Sequence, residues 1–170
     1  CIISAFALSP EEEYDCLYKD LRNFSTFGYK GTLDYNTGKS DGTPILTQGC
    51  FYQTSLNTDL AIEGKGFLKV LDENGNTFYT RYGYLIINTD SRLAIRCNNK
   101  IYYLPVEPLP DSYLYEEIRI YSNGNIESKF YMGNNSKASK VLGTIELYDI
   151  TADNIKSYDG FVIQTKNKPE

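Results

Sequence analysis

A mainly antiparallel β fold with one short helix at its N-terminal end is what this sequence predicts. Three observations lead there. From about residue 31 onward, short apolar runs alternate with Asn-Gly, Asn-Asn and similar turn pairs. The 16 tyrosines and 8 phenylalanines, with no tryptophan, supply bulky side chains that suit half-buried strands. Only one stretch has clear helical periodicity. At 170 residues the length is that of about one domain, enough to bury a core without disulfide or metal staples.

The helix comes first. Ser9 can cap it, Pro10 suits its first position, and Glu12 completes a capping box. Glu11, Glu12 and Glu13 favour the positive end of the helix dipole. Tyr14, Leu17, Tyr18 and Leu21 fall at i, i+3, i+4 and i+7 and form one apolar stripe, ending near Asn23. A stripe of this kind packs on a neighbour, in its own fold or on another subunit. Residues 31–44 are rich in turn formers and predict a loop or loose hairpin.

Strand candidates follow in order. LAIEG (60–64) and GFLKVL (66–71) flank a glycine break, which reads as a bend or bulge. Asn74-Gly75 predicts a two-residue type I′ hairpin into the returning run at 77–88. A turn at 89–91 leads to 90–96, and Asn98-Asn99 turns the chain back into 100–106. The proline-rich stretch 104–110 marks a crossing or an edge, because proline cannot donate inside a sheet. Runs at 116–122 and 125–132 flank Asn123-Gly124 as a further hairpin, and 141–150 and 160–165 supply the last strands. The expected division is an apolar segment at 1–8, the helix and connector at 9–30, and the β domain at 31–170.

Composition narrows the chemistry. Lys plus Arg number 17 and Asp plus Glu 22, a formal charge of −5 with both signs scattered, so a nucleic-acid partner is not expected. With no histidine, there is no imidazole base or ligand. Cys16, Cys50 and Cys97 are far apart without a C-x-x-C pair, which argues against zinc and for small buried hydrophobes, with a Cys50–Cys97 disulfide the alternative. Gly64-Lys65-Gly66 lacks the spacing and following helix of a phosphate loop. Glu11–Glu13 and Glu116-Glu117 read as a helix start and a solvated strand end rather than as paired catalytic carboxylates. No cofactor and no enzymatic activity are expected.

The first residue, Cys1, leaves three readings open: a lipid-bearing cysteine, the tail of a signal peptide with Ala5-Phe6-Ala7 as its cleavage site, or an arbitrary boundary. The first two imply export. No later stretch approaches the ~20 apolar residues of a membrane span.

Three stretches resemble the bacterial flagellar rod and hook protein family. NFSTFGYK (23–30) is similar to the family's N-x-x-N-x-x-T-x-G-Y-K segment, matched by Asn23, Thr26, Gly28, Tyr29 and Lys30. The block at 47–95 is similar to L-D-L-A-I-x-G-x-G-F followed by Y-T-R-x-G, matched by Asp59, Leu60, Ala61, Ile62, Gly64, Gly66, Phe67, Tyr79, Thr80, Arg81 and Gly83. A looser match covers the hairpin at 104–128 and the strand at 141–150. Departures are Ser55-Leu56-Asn57-Thr58 in place of G-N-P-L, Leu68 for a second phenylalanine, and Ser91 for a turn glycine.

The resemblance implies a β domain on the outside of a tubular axial polymer, with no activity attached to it. Those matched residues are expected to serve shape and assembly, with Arg81 bracketing strands or a neighbouring subunit. Family members carry a long C-terminal helix that pairs with the N-terminal one, whereas residues 161–170 read as strand and tail. The expected function is a structural component or accessory of the basal-body rod or hook. It would contact other axial or envelope proteins, or itself, and touch a membrane only if Cys1 is lipidated. The alternative is a secreted or lipid-anchored periplasmic module that reuses the domain. Family members leave the cell without a cleaved signal, so a lipidated or processed start sits with the alternative.

Overall fold

A computed structural model describes residues 10–23, 25, 28–33, 43–133 and 135–169. Cys1, the 1–8 segment, the Ser9 cap, Thr26 and most of the 31–44 loop lie outside the described residues. Helix α1 (Pro10–Asn23) runs as its periodicity predicts. The strands, in chain order, are β1 (Thr32–Leu33), β2 (Thr43–Pro44), β3 (Phe67–Leu71), β4 (Thr77–Thr80), β5 (Ile86–Ile87), β6 (Leu93–Cys97), β7 (Lys100–Tyr103), β8 (Arg119–Ile120), β9 (Asn125–Tyr131), β10 (Lys137–Thr144), β11 (Leu147–Tyr148), β12 (Ile155–Tyr158) and β13 (Val162–Thr165). Every pairing is antiparallel. Among the described residues the chain is mainly β, with α1 and two single-turn 3-10 helices, Tyr115–Glu117 and Ala152–Asn154.

The main sheet runs β12-β13-β4-β3-β7-β6-β5, and β11 pairs with the start of β3 where β7 pairs with its end. The small sheet runs β10-β9-β8. Side chains that alternate along the central strands enter two different cores. On one face Val70 and Val162 join Ile95, Leu104, Ile118, Ile126 and Leu142, so the small sheet closes over the main one. On the opposite face Phe67, Tyr79 and Ile163 pack with Ile150, Ile155 and Tyr158. Thr80, opposite Val162 on the first face, is fully buried; its hydroxyl donates to the Phe161 carbonyl at 2.7 Å and accepts from Tyr82 N at 3.0 Å.

Several expectations need correction. LAIEG forms no strand, because its backbone is held by Arg81 and Gly83 rather than by a ladder. The 77–88 run is two strands broken at 81–85. Asn74-Gly75 does turn a hairpin, but Asn74 keeps negative φ. Asp72 instead organises the five-residue turn, its carboxylate accepting from Asn74 N and Asn76 N at 2.9 and 2.8 Å. The 141–150 run divides between β10 and β11, and β12 was not anticipated. Glu116 and Glu117 lie in a 3-10 turn, where Glu117 pairs with Lys129 and Lys137. Asn98 and Asn99 both take positive φ, the two-residue turn expected between β6 and β7. Cys50 and Cys97 are separate free thiols, one exposed and one buried.

Ser91 stands at φ 59°, in the left-handed region that glycine tolerates best. Its amide donates to Asn88 O at 3.0 Å and its carbonyl accepts from Leu109 N at 2.8 Å, so the conformation is fixed from both sides. Ser91→Gly is expected to raise stability by about 0.5–1 kcal/mol, read from urea unfolding.

Burial pushes the Cys97 thiol from 9.0 up to about 12 and the Tyr102 hydroxyl from 10.0 up to about 12. Both are held neutral in the fold, so the unfolded chain releases their protons first. Their stabilisation is complete below pH 9 and is lost as pH rises from 9 to 12. Thermal melts across that range should show the midpoint falling, with a shallower decline in Cys97→Ala.

Candidate functional site

Three sequence motifs that are far apart in the chain meet at one open groove of about 700 Å³. Gly28, Tyr29 and Lys30 come from the connector after α1; Asp59 to Ile62 and Arg81 with Gly83 come from the two blocks around β3 and β4. The remaining wall is the irregular, exposed segment 47–57, which carries Phe51, Tyr52 and Leu56.

Arg81 builds the floor. One guanidinium nitrogen donates to Ile62 O at 3.0 Å, Gly64 O at 2.6 Å and Gln48 Oε1 at 3.2 Å. Gln48 Oε1 also accepts from Gly64 N at 3.1 Å. A planar multi-donor group thereby replaces a strand partner for the glycine bend, where Gly64 and Gly66 have φ of 81° and 119°. The ring of Phe67 lies under the guanidinium at 5.7 Å.

Gly83 makes the closest approach. Leu60 N donates to Gly83 O at 3.0 Å, and a Cβ on Gly83 would overlap the Leu60 carbonyl. This contact breaks the strand at 81–85 and sets Leu60 to Ile62 along the groove. Asp59 lies beside it. Both of its carboxylate oxygens are shielded from solvent, and among the described residues nothing donates to them.

The connector forms the other wall and is fastened to the far end of the chain. Lys30 N donates to Gly160 O at 3.1 Å, and the Tyr158 hydroxyl donates to Lys30 O and to Gly160 O. Tyr29 packs edge-on against Phe161 at 5.4 Å and over Gly160, where any side chain would meet its ring. Lys30 Nζ donates to Thr47 O at 2.7 Å. Burial holds Lys30 and Arg81 below their ordinary values, and the Arg81 charge adds to the effect at Lys30. Burial, reinforced by Tyr29, pushes the Tyr158 hydroxyl far above its own.

Of the residues singled out in the sequence, Gly28, Tyr29, Lys30, Asp59, Leu60, Ala61, Ile62, Arg81 and Gly83 line the groove. Gly64 forms its floor bend. Phe67, Tyr79 and Thr80 sit in the packed sheet, Gly66 adjoins Leu147, and Asn23 closes α1. Sequence reading missed Asp20, Gln48, Tyr158, Gly160 and Phe161, none of which occupies a matched motif position. Among the described residues no three Cys, Asp or Glu side chains cluster as metal ligands, and no helix is long and apolar enough to cross a membrane.

Residues 61–128 match the family described as the flagellar hook protein FlgE/F/G D1 domain. The chain is similar to the flagellar basal-body rod protein FlgG of Borreliella burgdorferi, at 29% identity over 78% of this chain and 60% of that protein. It is also similar to the flagellar hook protein FlgE of Brucella abortus and of Brucella suis, at 32% identity over 50% of this chain and 25% of each relative. The chain thus spans less than two thirds of the length of these relatives.

Gly83→Ala is expected to destabilise the protein by on the order of 3 kcal/mol, because the methyl group meets backbone that cannot move aside. Gly49→Ala, which faces open space, should change the urea midpoint by less than about 0.5 kcal/mol. Equal effects at the two glycines would overturn the close-approach account.

Proposed function

We propose that this chain acts as a structural subunit or accessory of the bacterial flagellar rod or hook, working through protein–protein contacts and turning over no substrate. The names of its relatives, a rod protein and a hook protein, support a structural reading. That reading sets it in the basal body, outside the cytoplasm, among other axial proteins or copies of itself.

The observation that carries the proposal is the surface of α1. Tyr14, Leu17, Tyr18 and Leu21 are 66, 49, 49 and 63% exposed, so a stripe with the spacing of a packing face lies open on the surface. Burying each such side chain contributes about 1.5–3 kcal/mol relative to exposure, which makes an open stripe a natural interface. A helix of 14 residues is marginal alone and gains most from a partner laid along that face. Tyr14 and Tyr18 stack at 6.2 Å and Arg22 lies over Tyr18 at 5.7 Å, so the aromatic part of the face is already ordered.

Replacing Leu17 and Leu21 together by Asp at the native locus should abolish filament outgrowth seen by electron microscopy. The purified variant should melt within about 2 °C of the original, since neither side chain supports the β core. Normal flagella in that strain would overturn the assignment.

A further inference from the structure

We propose that the hydrogen bond from Tyr29 to Asp20 is the latch that fixes the direction in which α1 leaves the β body, making these two the positioning residues of the assembly face. This rests on the reading of α1 as the interface. The Tyr29 hydroxyl donates to Asp20 Oδ1 at 2.6 Å, a short bond to a charged acceptor. Asp20 is half-buried while Tyr14, Leu17, Tyr18 and Leu21 are open, so apolar packing by the stripe is not what holds the helix.

The phenol can serve as a fixed post because everything around it is tied down. Its ring is seated on Gly160 and edge-on to Phe161, at a position where glycine alone leaves room. The next residue is bonded through both backbone groups, N to Gly160 O and O from the Tyr158 hydroxyl. The preceding residue, Gly28, presses against Tyr82. Phe161 and Tyr82 also meet edge-on at 5.6 Å, which joins the post to the main core. A side chain added at Gly31 would come within 4 Å of the Asp20 carboxylate, so the acidic side chain faces the connector on the far side of Lys30 as well. The Asp20 carboxylate lies near the C-terminal end of α1 and serves as the pivot of a lever: small changes there swing the whole stripe.

Residual dipolar couplings of the full ¹⁵N-labelled chain, at concentrations where it is monomeric, test the latch. In the unaltered protein the amides of residues 11–23 should fit the same alignment tensor as β3, β4 and β13. Tyr29→Phe keeps the ring and removes the hydroxyl. The sheet should retain its tensor and α1 should lose it, with the helical Cα shifts unchanged. Asp20→Ala should do the same, while Asp20→Asn, which keeps an acceptor oxygen, should preserve the common tensor. A shared tensor in Tyr29→Phe overturns the proposal. Loss of the helical shifts overturns it too, since the bond would then build the helix rather than aim it. The readout is independent of assembly, so failure of the latch and failure of the stripe as an interface give different results.

Discussion

Strands β3, β4 and β13 are apolar on both faces, and both faces have to be covered. That constraint organises the molecule. Val70 and Val162 require a lid on one side, which the small sheet supplies through Ile118, Ile126 and Leu142. Phe67, Tyr79 and Ile163 require one on the other, supplied by Ile150, Ile155 and Tyr158 from the last third of the chain. Adjacent apolar residues rather than strict alternation are the sequence mark of strands buried in this way, and Phe67-Leu68 and Val162-Ile163 carry it.

The groove follows from the same constraint. Because β13 pairs with β4, the 159–161 loop before it is carried to the connector, where Gly160 and Phe161 receive Tyr29. Because β4 is fixed between β3 and β13, Arg81 just beyond its end is aimed back at the 62–64 bend. The motif residues gathered at the groove are thus mostly geometric: glycines where two backbones touch, a guanidinium where a strand partner is missing, and a phenol where a helix is joined on.

Local chemistry was readable from sequence and distant chemistry was not. The Asn-Asn and Asn-Gly turns, the helix and most strand runs declare themselves within ten residues, since turn geometry and periodicity are short-range properties. LAIEG looked like a strand because its composition is strand-like; only the Arg81 guanidinium, 19 residues from Ile62, shows that its carbonyls are already taken. The type I′ assignment at Asn74 failed because Asp72, two residues earlier, offered the backbone a better acceptor. The bond from Tyr158 to Lys30 spans 128 residues, and no spacing rule reaches that far. The groove was legible as a set of motifs and illegible as a place.

The outer margin of β10 carries a last implication. At eight residues it is the longest strand among the described residues and borders its sheet, yet it bears Lys137 and Lys140, kinks at Gly143, and its Leu142 carbonyl accepts from Glu107 N. Charge, kink and a borrowed donor all discourage a foreign strand from annealing there. Where many copies crowd together, such a guarded border keeps association from spreading by indiscriminate β-pairing and confines it to faces shaped for the purpose.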